Sequence, residues 1–175
     1  AVLSEGKTVL KNCAMEPEIV SVAEYLNECG ADIKGAGTPT ITVNGGNLLK
    51  TNGKKYITVP DRIEAGSFLL LGALCADNLK ITNCIPEHIE STINLLRDSG
   101  LNVITTKTTV ELKDNAKVKN SSLKSFNVRT HEYPGFPTDL QAPMVTFLTQ
   151  VGGESIVLET IYEGRFKFTQ NLTKL

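Results

Sequence analysis

The chain lacks a long apolar run, a basic track, a CxxC pair and a histidine pair, and each absence closes off a class of function. No segment approaches the roughly 20 apolar residues needed to cross a bilayer. The richest, 68–76, sits inside an amphipathic pattern and reads as a buried helix. Acidic and basic residues number 19 and 18, and the longest basic cluster is Lys54-Lys55, read as a surface pair. Nothing there makes a nucleic-acid face. Cys13, Cys29, Cys75 and Cys84 have neither the spacing nor the neighbouring histidines of a zinc site. They read as reduced, mostly buried thiols of a cytosolic protein. Neither end carries a signal-peptide pattern, so a cytoplasmic protein without a membrane partner is expected.

What is present is a regular alternation of strand and helix signals. Residues 7–11 alternate polar and apolar, as a strand does. Glu16-Pro17-Glu18 suits a helix start; Ile19, Val22, Ala23 and Leu26 make one apolar face, and Gly30 stops the helix. Strands are predicted at 32–34 and 40–43. Residues 44–55 are polar and glycine-rich, the best linker candidate. A strand at 56–59 should precede a helix capped by Asp61 and Glu64 and running to about Cys75. Then come a strand at 80–83, a helix from Pro86 to Gly100 with Ile89, Ile93 and Leu96 inward, and a hairpin from 101–105 and 108–112. A polar loop at 114–125 leads to strands at 126–130 and 155–159.

This order repeats itself. Asn12-Cys13 through Gly30 returns about seventy residues later as Asn83-Cys84 through Gly100. The strand–Pro–Asp–helix run at 56–75 likewise returns at 126–150, which would give Asp61 and Asp139 equivalent places. The fold class is therefore α/β (α+β), built from β-α-β-α-β-β units. Residues 1–50 hold the back half of one unit, 51–113 a linker and a complete unit, and 114–175 the front half of the next.

The stretch Tyr133-Pro134-Gly135-Phe136-Pro137-Thr138-Asp139-Leu140-Gln141 stands apart. Its prolines and glycine make a stiff bent loop, and Thr138-x-x-Gln141 has the form of a capping box, placing a helix start at Thr138. Asp139 would lie in the first turn, where the positive helix end favours a carboxylate. An ordinary loop-to-helix junction explains the same residues equally well.

That string resembles the enolpyruvyl transferase family, in its branch acting on UDP-N-acetylglucosamine. So do Glu159-Thr160-Ile161-Tyr162-Glu163-Gly164-Arg165-Phe166 (the family's ETxxExRF), Pro60-Asp61-Arg62-Ile63-Glu64-Ala65-Gly66-Ser67-Phe68 (PDRIEAGTF) and Asn12-Cys13-Ala14-Met15-Glu16-Pro17-Glu18-Ile19 (NAAxEPEI). The resemblance implies an inside-out α/β barrel of six units in two globes, of which this chain would hold a central two fifths. It also implies transfer of enolpyruvyl from phosphoenolpyruvate to the sugar 3-hydroxyl, with no metal or organic cofactor. The branch acting on shikimate 3-phosphate fits PGFPTDLQ and ETIYEGRF less well, and a non-catalytic repeat module is the alternative from another class.

By the same resemblance Asp139 meets the sugar 3-hydroxyl, orienting and polarising it, with proton acceptance the weaker inference. Arg165 lies near phosphoenolpyruvate, an ion pair with Glu163 or Glu159 being the plain alternative. Ile161 and Tyr162 line the sugar-nucleotide pocket, and Asp61 and Arg62 lie at the crossing between globes, Asp61 being also a helix cap. Glu16 falls near the cleft, whereas Glu18 reads as a first-turn helix residue. His88 is expected solvated, His131 has no family counterpart, and Pro143 threatens the helix begun at Thr138. The family's catalytic cysteine loop matches none of the four cysteines. The chain should thus carry one wall of a cleft, and its uncovered helix faces should favour self-association or absent neighbouring segments.

Overall fold

A computed structural model describes residues 1–51, 53, 55–116 and 123–174. The chain divides into two compact units, Ala1–Val59 and Pro60–Leu175.

In the first unit, strands β1 (Gly6–Lys11), β2 (Asp32–Lys34) and β3 (Thr40–Gly45) form an antiparallel sheet in the order β1-β3-β2. Ile41 and Val43 alternate onto its buried face. Helix α1 (Pro17–Glu28) begins with proline where no intrahelical N–H is needed, and carries Glu18 in its first turn. It ends in a Schellman motif: Gly30, at φ 102°, donates to Asn27 O and Ala31 to Leu26 O. Of the apolar face expected on α1, only Ala23 is buried; Ile19 and Val22 are exposed. The strand expected at 56–59 does not form. Among the described residues no strand pairs with it, and Ile57 stands 89% exposed. Tyr56 instead lies on α1, its ring 4.6 Å from that of Tyr25 and its hydroxyl bonded to Ser21.

The second unit opens with α2 (Arg62–Cys75), followed by β4 (Leu79–Thr82). A 3₁₀ turn at Pro86–Ile89 then runs into α3 (Glu90–Asp98), where one continuous helix was expected. Strands β5 (Val103–Thr105) and β6 (Thr109–Leu112) complete a sheet in the order β4-β6-β5, the same path as in the first unit. Helix α4 (Gln141–Leu148) packs on α2. Leu69 and Leu70 of α2, Ile93 and Leu96 of α3, Met144 and Phe147 of α4, and Val110 and Leu112 of β6 form one core. Gly66 permits the close approach of α2: a Cβ there would lie 2.5 Å from Leu140 Cδ1.

Two further expectations change here. The strands at 126–130 and 155–159 shrink to β7 (Val128–Arg129) and β8 (Val157–Leu158), which among the described residues form a two-stranded parallel sheet. The polar loop at 114–125 lies partly outside the described residues, as does Lys54. Asn115, however, is buried, and its amide donates to Ala73 O and Ala76 O at the end of α2. The last helix, α5, is a single turn, Thr169–Leu172.

Candidate functional site

The site grows from the end of β7. Thr130 is wholly buried, and its N–H donates to Leu158 O (3.0 Å), tying β7 to β8. The chain then makes the loop 131–137, with a cis Tyr133–Pro134 bond, a donation from Gly135 N–H to Glu132 O (2.7 Å) and one from His131 N–H to Phe136 O (2.9 Å). Phe136 plugs into the core and fixes where the next turn begins. That turn is a 3₁₀ helix at Thr138–Leu140, and α4 follows only at Gln141.

The capping box expected at Thr138 and Gln141 is not made. Both side chains turn to Glu159, just past β8. Thr138 Oγ1–H donates to Glu159 Oε2 (2.8 Å), and so does Gln141 Nε2 (2.9 Å). The other oxygen, Oε1, accepts from Thr130 Oγ1–H (2.9 Å) and from the N–H groups of Ile161 (2.7 Å) and Tyr162 (3.1 Å). A charge-assisted acceptor facing five donors outcompetes the local backbone for two of them. Burial alone pushes the Glu159 carboxyl up. The donations from Ile161, Thr138, Tyr162 and Thr130 outweigh it and hold the group below the ordinary carboxylate range.

Gly164, at φ 71°, turns the chain into a second 3₁₀ helix, Arg165–Phe168, and returns Arg165 toward the first. Arg165 Nη1 donates to Thr138 Oγ1 (2.7 Å) and Nη2 to Asp139 Oδ1 (2.9 Å), while its guanidinium sits 5.4 Å from the centre of the Tyr162 ring. Its ion-pair partner is thus Asp139, in place of the Glu163 or Glu159 considered from sequence. Asp139 keeps an exposed side chain, 58% accessible, so the pair stands at the surface with one carboxylate edge toward solvent.

Asp61 and Asp139 do not hold equivalent places. Asp61 is the N-cap of α2, accepting from the N–H groups of Ile63 (2.8 Å) and Glu64 (3.0 Å). Counted from the preceding prolines, its counterpart is Thr138, and that of Asp139 is Arg62. Arg62 lies 5.7 Å from the centre of the Tyr133 ring, so loop 131–137 faces the start of α2. His88, expected solvated, is half-buried with its ring edge-on to Tyr133. His131 is exposed beside Glu132. Pro143 falls within the first turn of α4 and leaves it unbroken through Leu148, because an N–H there needs no partner from within α4. Glu16 belongs to the first unit, at the start of α1 without a side-chain cap bond. Among the described residues no cluster of His, Cys, Asp or Glu is able to hold a metal ion.

The second unit thus brings Asp139, Arg165, Ile161 and Tyr162 together around Glu159, and sets Arg62 against the same loop. A family model described as EPSP synthase (3-phosphoshikimate 1-carboxyvinyltransferase) matches residues 1–175. The chain belongs to this family. The UDP-N-acetylglucosamine 1-carboxyvinyltransferase of Clostridium botulinum is 46% identical over 175 residues, 100% of this chain and 40% of that protein. UDP-N-acetylglucosamine 1-carboxyvinyltransferase 2 of Bacillus subtilis is 44% identical, over 100% of this chain and 39% of its own. The chain therefore spans about two fifths of the length of these curated relatives. The crystal structure of the enolpyruvyl transferase NikO from Streptomyces tendae superposes with a TM-score of 0.78, covering 98% of this chain and 40% of that one at 22% identity. It shares the fold: mixed α/β, with no closed barrel among the described residues.

Sequence reasoning missed Glu159 as the centre of the site, and with it Thr130 and Gln141. One signal was available. An acid at a strand end can take the backbone N–H groups two and three residues further on, here those of Ile161 and Tyr162.

Proposed function

We propose that the chain is part of an enzyme that transfers enolpyruvyl from phosphoenolpyruvate to the 3-hydroxyl of UDP-N-acetylglucosamine and releases phosphate, a step of peptidoglycan and cell-wall synthesis. The observation that carries this reading is the meeting of the PGFPTDLQ and ETIYEGRF segments at Glu159, with Asp139 and Arg165 presented side by side. Such a transfer passes through a tetrahedral addition intermediate. It needs a group to orient the attacking hydroxyl and cations to balance phosphate and carboxylate. Asp139 offers an exposed carboxylate that accepts a hydrogen bond from the sugar hydroxyl. Arg165, fixed through one face of its guanidinium, supplies the positive charge. Backbone at Ile161 and the exposed ring of Tyr162 offer a wall for the sugar nucleotide. Arg62 and Asp61, at the start of α2, belong to the same unit as Asp139 and Arg165, and Glu16 to the first unit. The whole enzyme would act in the cytoplasm, without a cofactor, and serve cell shape and division.

The description of the matching family favours a second acceptor, shikimate 3-phosphate. Competition binding of the two acceptors to the chain separates them. UDP-N-acetylglucosamine should bind in preference, and Asp139→Asn should weaken it by about tenfold, the loss of a hydrogen bond to a charged group. A preference for shikimate 3-phosphate, or binding of neither, would overturn the reading. The chain alone should release no phosphate from phosphoenolpyruvate and UDP-N-acetylglucosamine. Release abolished by Asp139→Asn would mean that it assembles a complete site, by self-association.

A further inference from the structure

We propose that Glu159 is the positioning residue of this site: it sets the orientation of the Thr138 hydroxyl and thereby locks Arg165 onto Asp139. Proton direction decides the arrangement. A hydroxyl has one proton to give and lone pairs to receive. Thr138 Oγ1 gives its proton to Glu159 Oε2 at 2.8 Å, so the lone pairs are what it presents to Arg165 Nη1 at 2.7 Å. With Nη1 held there, Nη2 falls on Asp139 Oδ1 at 2.9 Å. A second route runs through the backbone. Glu159 Oε1 takes the N–H groups of Ile161 and Tyr162, and Tyr162 carries the ring beneath the Arg165 guanidinium. Both routes start at one carboxylate, and both end on the same guanidinium.

The donor set also says why the residue must be an acid. Three donors converge on Oε1 and two on Oε2, with none left for the residue itself to satisfy. Glutamine in its place would put an amide NH₂ against either two or three donors, whichever way it turned. No rotamer restores the set. Gln141 and Thr130, both buried, have no solvent to turn to, so the conflict falls on the more exposed partner, Thr138, and reaches Arg165.

The inference concerns geometry and leans on the proposed function only for its consequence, a weaker grip on the acceptor. It is tested on the 175-residue chain by NMR, following exchange of the Arg165 guanidinium protons in Glu159→Gln, Thr138→Val and Thr138→Ser. Glu159→Gln should speed that exchange at least about tenfold and shift the amide signals of Ile161 and Tyr162. Thr138→Val should speed the exchange alike while leaving those two amides in place, and Thr138→Ser should restore the wild-type rate. Unchanged Arg165 exchange in Thr138→Val, a variant that leaves Glu159 and its backbone bonds intact, would overturn the proposal even if Glu159→Gln failed to fold. UDP-N-acetylglucosamine binding is measured alongside. A wild-type chain that bound none would sink the functional reading alone, since the exchange rates decide the role of Glu159 without substrate.

Discussion

Residues 6–45 and 79–112 trace one β-α-β-β path twice, and the two copies agree in their turns while differing in their packing. Each first strand runs into a left-handed asparagine, Asn12 at φ 57° and Asn83 at φ 54°. The cysteine that follows each donates its N–H across the sheet, Cys13 to Pro39 O and Cys84 to Thr108 O. Each helix ends on a left-handed glycine, Gly30 or Gly100, inside a Schellman motif. Even the contact from helix end to next strand is kept with changed chemistry. Asn27 exchanges two hydrogen bonds with the backbone of Ile33, whereas Arg97 Nε donates to Val103 O. The helices then diverge. α3 buries Ile93 and Leu96 within a core that α2 and α4 complete, while α1 leaves Ile19 and Val22 in solvent. The path is written in short-range turn chemistry. The cover over a helix face comes from elements far away in sequence.

The largest expected effect breaks the comparison at its point of difference. Leu96, wholly buried in α3, has Leu26 as its counterpart in α1, where it is only half-buried. Leu96→Ala should cost about 2–5 kcal/mol of the second unit's stability, by lost burial plus an unrelaxed cavity. Leu26→Ala should cost the first unit less than about half of that, because its surroundings leave less to lose. Denaturant unfolding followed by hydrogen exchange resolved to each unit checks both. Equal costs would mean that the two helices share the same environment, and the contrast would fall.

A smaller effect probes what the copies share. For an ordinary residue the left-handed conformation costs about 1–2 kcal/mol, which asparagine largely escapes by local hydrogen bonding. Asn12→Ala and Asn83→Ala should therefore destabilise their own units by about 1 kcal/mol each, and glycine at either position should recover most of the loss. A cost confined to Asn83 would show that the turn is forced by tertiary packing in the second unit and is incidental in the first.

The same division explains what the sequence discloses. The asparagine and glycine punctuation, the Asp61 cap and the inward face Ile89, Ile93 and Leu96 are legible because each is decided within a few residues. The capping box at Thr138 and Gln141 is misleading for the opposite reason. Its competitor, Glu159, stands on another strand, and a local motif carries no notice of it. Tyr56 to Val59 has strand-forming residues, but a strand exists only where a neighbour supplies the ladder. The pairing of Asp61 with Asp139 fails by one residue counted from Pro60 and Pro137, and of the two only Asp61 caps a helix. Family motifs single out Asp139, Arg165 and Ile161, while Glu159, which bonds Thr138 and Ile161, reads from sequence only as an ion-pair partner of Arg165.

The smallest expected effect is on the exposed face itself. Val22 is 55% accessible on α1, and an apolar residue so placed contributes little to the stability of its own unit. Val22→Ser should change the stability of the isolated chain by no more than about 0.5 kcal/mol, within the ordinary range for surface substitutions. The counterpart of Val22 in α3, counted from the Leu26–Leu96 pair, is Thr92, which is wholly buried. If Val22→Ser nevertheless lowered stability in a manner that depended on protein concentration, the face would be covered by a second copy of the chain. Sedimentation of wild type and variant reads this directly. A valine that matters only when chains meet would show that α1, like α3, is a helix made to be covered, with its cover lying outside its own unit.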